Sequence, residues 1–206
     1  MLKRGLIALA LAGLAMPTHA QEPRRQLGPH EHGVGHLAIA IEGTSMEMEL
    51  ETPANDILGF EHAPSTDAQK KTLSEAKTRL GKIAGLFVLT PDAGCKLESA
   101  DVDVLGAAAG QSKAHDHDHD HEHEKTADTA KAEDHHHDHE HGAHSEFRVT
   151  YKVECANPAK LGAVAFDYFK AFKAARKLDV TVIGPKGQSS YVVTREKPVL
   201  DLSGVS

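Results

Sequence analysis

The chain has 206 residues, a formal net charge of −7, no Trp, and aromatics at only 4% of positions. Its core must be aliphatic with a few Phe and Tyr, and this length suits one domain carrying a long insertion. The acidity is concentrated in residues 115–144, where ten carboxylates face only Lys125 and Lys131; with no basic stripe to neutralise phosphates, nucleic acid is excluded as a partner.

Lys3 and Arg4 precede an apolar run from Gly5 to Met16, and Pro17-Thr18-His19-Ala20 supplies small residues for cleavage. This is the pattern of a secretory signal over residues 1–20, with residues 21–206 exported as one periplasmic domain. The run is shorter than the roughly 20 residues a spanning helix needs. No later stretch reaches that length, so the protein is expected not to be membrane-embedded.

Leu37, Ile39 and Ile41 share one face of a strand over His36–Ile41, and Glu42-Gly43-Thr44-Ser45 reads as a turn. Met46, Met48 and Leu50 then alternate with Glu47, Glu49 and Glu51, which predicts a hairpin with one wet face. Pro53 ends it, and a loop is expected across residues 55–64. Thr66 and Gln69 have capping-box spacing, and Leu73, Ala76, Leu80 and Ile83 fall on one helical face beyond them. Strands over Leu86–Thr90 and Lys96–Leu105 flank a Pro91-Asp92-Ala93-Gly94 turn.

From residue 106 to residue 145 apolar periodicity vanishes, and such a composition cannot offset the entropy of ordering. It is expected to be a disordered loop. Phe147, Val149, Tyr151, Val153 and Cys155 then resume alternation. Phe166, Phe169, Phe172 and Lys173 predict a short helix, and strands follow over Leu178–Ile183 and Tyr191–Thr194 around a Gly184–Gly187 turn. The order predicts a single α+β domain: an antiparallel sheet with helices on one face and the long His/Asp-rich loop inserted between two strands.

Export also bears on the cysteines. In an oxidising compartment Cys95 and Cys155 are expected to pair, two free structural thiols being the alternative. A bridge would enclose about sixty residues, including the whole insertion, and loop-closure entropy puts such a link at about 4 kcal/mol. It would pin both ends of the insertion to the folded body.

The insertion carries His115, His117, His119, His121, His123, His135, His136, His137, His139, His141 and His144. Neutral imidazole suits zinc, copper and nickel. At every second position of an extended segment, the first five rings would lie on one side and the carboxylates on the other. Those carboxylates raise the local cation concentration and can accept the ring N–H, which increases ligand basicity. At four ligands each, the run could hold on the order of two or three zinc ions, weakly and in quick exchange. A pH-responsive spacer and a plain acidic tether are the alternatives.

A second group opens the exported chain: His30, His32 and His36 share parity, and Glu61-His62 follows Gly59-Phe60. Glycines at 33 and 35 would let the backbone bend around an ion. Together these residues could form a tighter site held by the fold, or could simply be surface histidines.

The segment His30-Glu31-His32-Gly33 to Leu37, followed by Pro53-Ala54 and by Leu58-Gly59-Phe60-Glu61-His62, resembles the ZrgA-like periplasmic proteins. The likeness extends over essentially the whole exported chain, including the Cys pair around a variable His/Asp-rich insertion. It implies an α+β periplasmic domain that binds zinc and assists a zinc transporter of the inner or outer membrane. It also favours a folded role for His30, His32, His36 and His62. The function expected is capture or buffering of zinc by a monomer. A nickel or copper chaperone or detoxification protein is the alternative, though so few Met argue against a Met-rich copper(I) site. An enzyme is not expected, because the chain lacks a His-Glu-x-x-His helix, a nucleophile elbow and a phosphate loop.

Overall fold

Strands β1 (Val34–Glu42) and β2 (Ser45–Pro53) form the expected hairpin, with Leu37, Ile39, Ile41, Met46, Met48 and Leu50 buried on one side. The computed structural model describes residues 31–109 and 144–205. The predicted signal segment, His30, the run from His115 to His141 and the disorder expected of the insertion lie outside the described residues.

Four more strands complete a six-stranded sheet. β4 (Cys95–Gly106) and β5 (Ser145–Cys155) extend it beyond β2, while β7 (Lys177–Gly184) and β8 (Gly187–Thr194) extend it beyond β1. The order is β4-β5-β2-β1-β7-β8, and every pairing is antiparallel except β1 with β7. A parallel pair needs a long crossover, and the chain between those two strands supplies it. β4 is an edge strand. It carries Lys96, Glu98, Asp101 and Asp103, and its register shifts between Leu97 and Ser99. Charge and an irregular ladder both discourage pairing with another chain.

The parts of the crossover outside the sheet pack on its buried face. α2 (Asp67–Leu80) starts at the predicted capping box: the Gln69 N–H donates to the Thr66 hydroxyl, and the Gln69 side chain accepts from the Thr66 N–H. Its Ala76 and Leu80 are buried. Beside it stands a second sheet of three short antiparallel strands, ordered β3 (Phe87–Leu89), β6 (Ala163–Phe166) and β9 (Val199–Asp201).

Phe87 ties the layers together. Its ring meets Tyr151 of β5 edge-on at 5.9 Å and Phe166 of β6 at 5.5 Å, and lies nearly parallel to Tyr168 at 6.1 Å. Both tyrosines keep a polar partner, as buried hydroxyls must. Tyr151 Oη donates to the Leu80 carbonyl at 2.6 Å, and Tyr168 Oη bonds Thr52 Oγ1 at 2.9 Å. Burial raises both phenols well above the usual tyrosine range.

The architecture is α+β with antiparallel-dominated sheets, as the residue pattern implied. Three local expectations need correction. The loop predicted over 55–64 begins with a short helix, α1 (Ala54–Leu58), which directly continues β2. The helix expected around Phe166–Lys173 is a strand end followed by one turn, α3 (Tyr168–Ala171): Phe166 closes β6, and only Phe169 lies in the turn. The insertion is also narrower than residues 106–145 suggested. Gly106 ends β4, residues 107–109 form a 3₁₀ turn, and Ser145 begins β5.

Cys95 and Cys155 are bonded to each other and stand opposite one another in the β4–β5 ladder. The other end of that ladder is the Gly106–Ser145 pair, where the insertion leaves and returns.

Candidate metal-binding site

Asp56 is buried in α1, with both carboxylate oxygens 2.8 Å from the Gly33 amide nitrogen. This bond anchors the chain just before β1. Gly33 adopts φ +88°, and a Cβ there would crowd the Arg176 guanidinium, whose Cζ would lie 2.9 Å away. Arg176 in turn donates from its guanidinium to the His32 carbonyl at 2.5 Å, and its own amide donates to the Gly33 carbonyl. A left-handed glycine with a cation packed over it thus fixes where the His32 side chain starts.

His32 Nε2 lies 3.0 Å from Glu61 Oε1, and His144 Nδ1 lies 3.5 Å from Glu61 Oε2. The two rings are 112 positions apart in the sequence (144 minus 32) and meet on one carboxylate. Glu61 is 19% exposed, against 55% for His32 and 45% for His144, so the carboxylate is the inner member and the imidazoles are the outer ones. His144 is the last histidine of the run.

Ser145 follows it and is fully buried. Its hydroxyl donates to the Glu61 carbonyl at 2.6 Å and accepts the Ala108 amide at 2.8 Å. One side chain therefore joins the end of β4, the start of β5 and the segment carrying Glu61. Gly106, opposite Ser145, has φ +83°, and a Cβ there would collide with the His144 carbonyl. Close backbone approach at this junction demands glycine.

The other histidines are placed differently. His62 stacks on Phe60 at 5.1 Å between ring centres, and its Nδ1 reaches the Ala63 carbonyl at 2.9 Å. A proton on Nδ1 would donate there and leave Nε2 to accept the Gln69 amide at 3.4 Å. His36 projects from β1 onto the open face of the large sheet, in register with Glu51 on β2 and Asp179 on β7. Those carboxylates are held by Arg148 at 2.9 Å and Lys177 at 3.1 Å. Among the described residues no group of three or more His, Cys, Asp or Glu side chains is already arranged around a metal position. The His32–Glu61–His144 cluster has the donor types zinc takes, imidazole nitrogen and carboxylate oxygen, but its members are bonded to one another.

The family model described as ZrgA family zinc uptake protein matches residues 29–202. The chain belongs to the ZrgA family. No curated protein matches it. The matched span includes both cysteines, the whole insertion and every member of the Glu61 cluster. Membership assigns the chain to zinc uptake, in a family that is not one of enzymes. Among the described residues no helix is long and apolar enough to cross a membrane.

Two residues of this ZrgA-family site carried no signal in the sequence. Asp56 reads as one of many carboxylates, and Ser145 as the polar end of a polar run. Only the fold buries them, and burial is what makes their bonds matter.

Proposed function

We propose that this ZrgA-family chain is a periplasmic zinc-binding protein, not an enzyme, which captures or buffers zinc and assists its uptake by a membrane transporter. The observation that carries this reading is the junction at Glu61. The histidine-rich run returns to the fold at His144, and His144 reaches the same carboxylate as His32. The run would collect zinc through many exchanging imidazoles. Glu61, His32 and His144 would receive it at a place set by the fold, exchanging their mutual bonds for bonds to the ion. Zinc is cargo here, and exposed imidazoles on a less exposed carboxylate suit reversible loading. His30, His36 and His62 remain candidate ligands of the same or neighbouring ions, and Cys95–Cys155 locks the far end of the β4–β5 hairpin that carries the insertion.

Calorimetry on the exported chain with residues 110–143 deleted tests this, because the deletion keeps His144, Ser145 and the whole described fold. Loss of most of the zinc capacity with retention of a tighter site is the expected result. Loss of every site would reduce the protein to a histidine sponge and sink the reading. Parallel titrations with nickel and copper test the choice of metal, and mass analysis of the periplasmic fraction tests cleavage after Ala20.

A further inference from the structure

The Glu61 cluster needs something to hold its parts in place, because it is assembled from three separate pieces of chain. His32 precedes β1, Glu61 follows α1, and His144 sits at the return point of the insertion. His32 is fixed through Gly33, Asp56 and Arg176. For Glu61 and His144, the buried group that connects them is Ser145. Ser145 is peptide-linked to His144, and its hydroxyl donates to the backbone carbonyl of Glu61 and accepts the Ala108 amide from the opposite rim of the insertion. Both bonds are to backbone atoms, which leaves the Glu61 carboxylate and the His144 ring available as ligands.

We infer that Ser145 is a positioning residue for zinc binding: its hydroxyl sets the separation of Glu61 and His144 and so determines the affinity of the folded site. The inference rests on the zinc reading above. The geometry favours it over a merely structural role for two reasons. A hydroxyl that only closed the hairpin would need the Ala108 bond alone, yet this one also donates to the residue that bears the carboxylate. Ser145 is also buried without being apolar, in a strand whose other inward residues are Phe147, Val149, Tyr151, Val153 and Cys155. Without the hydroxyl, the Glu61 carbonyl and the Ala108 amide would both lose a buried partner, and the segment carrying Glu61 would relax away from β5.

The test uses the exported chain lacking residues 110–143, titrated with zinc chloride by calorimetry below the melting temperature. Ser145→Ala is compared with Tyr151→Phe, which also deletes a buried hydroxyl bond of β5 but lies away from the cluster. Both variants should melt at lower temperature. Only Ser145→Ala should weaken zinc binding, by about tenfold, the scale of lost outer-shell support in metal sites. An unchanged affinity in Ser145→Ala, or an equal loss in Tyr151→Phe, would show that Ser145 serves the fold alone and would overturn the inference. Should Ser145→Ala not fold, Ser145→Thr displaces the hydroxyl with an added methyl at the buried position without bringing in a new zinc ligand, and the same two outcomes decide. If the parent deletion binds no zinc at all, the zinc reading itself fails, which is distinct from a parent that binds and a variant that binds equally well.

Discussion

Nδ1 of His144 stands 3.5 Å from Oε2 of Glu61, so the last histidine of the run touches a carboxylate fixed in the folded body. That contact makes the cluster testable one residue at a time. In the chain lacking residues 110–143, His144→Ala and His32→Ala should each raise the zinc Kd by about tenfold or more, equivalent to about 1.4 kcal/mol or more. Glu61→Gln should cost at least as much, since it removes the charge both rings share. His36→Ala, on the open sheet face, should change the Kd little. Isothermal calorimetry reads all four.

The disulfide should matter more for the fold than for the metal. Replacing both Cys95 and Cys155 by Ser frees a loop of sixty residues and should lower stability by about 2–4 kcal/mol. Denaturant melts of the two forms measure the difference. The zinc sites should survive in the folded fraction, because the bridge and the Glu61 cluster are at opposite ends of the β4–β5 ladder.

Gly33→Ala should destabilise the protein by about 1 kcal/mol or more, since it combines a positive φ with a clash against Arg176. The same change should shift His32 and weaken zinc binding. Thermal melts and zinc titration of the one variant report the two effects separately.

Stability should fall in alkali. Burial raises the phenols of Tyr151 and Tyr168, whereas an unfolded chain releases those protons near pH 10, the usual value for tyrosine. Above about pH 10 the unfolded state therefore binds fewer protons than the folded one, so stability declines as pH rises, by up to about 1.4 kcal/mol per pH unit for each tyrosine. Below that pH the contribution is fully present. Tyr168→Phe should cost about 1 kcal/mol at neutral pH through the lost Thr52 bond, yet flatten the alkaline decline. Denaturant midpoints between pH 8 and about pH 11 would show whether the slope changes.

Alternation made the main sheet readable in advance. Leu37 to Ile41, Met46 to Leu50 and Phe147 to Cys155 each bury every second residue, and strict period two has no helical reading. The capping box at Thr66 was legible for the same local reason, and the pairing of Cys95 with Cys155 followed from the expected compartment. The second sheet was not legible. Ala163–Phe166 and Val199–Asp201 are too short to show a period, and Phe166, Phe169 and Phe172 have helical spacing although the first belongs to a strand. The parallel pairing of β1 with β7 depends on what the crossover packs against, which no local pattern encodes.

At the site, residue types were informative and positions were not. Parity grouped His32 with His36 along an extended chain, but the turn at Gly33 ends the extension before β1 begins. Glu61 stood out beside His62, yet its partners come from residues 32 and 144. Contacts spanning such separations follow from tertiary packing.

The pairing of Gly106 with Ser145 leaves the two rims of the insertion side by side, as an ordinary hairpin turn would. For the rest of the molecule, whatever lies between Ala109 and His144 is a substitutable cassette, because the contacts at the junction come from Ala108, His144 and Ser145. Its histidines can be counted up or down, or exchanged for another chelating sequence, while the register of β4 and β5 stays the same. The metal capacity of such a protein could therefore be tuned by length and composition at one port, at almost no cost to the body that receives the ion.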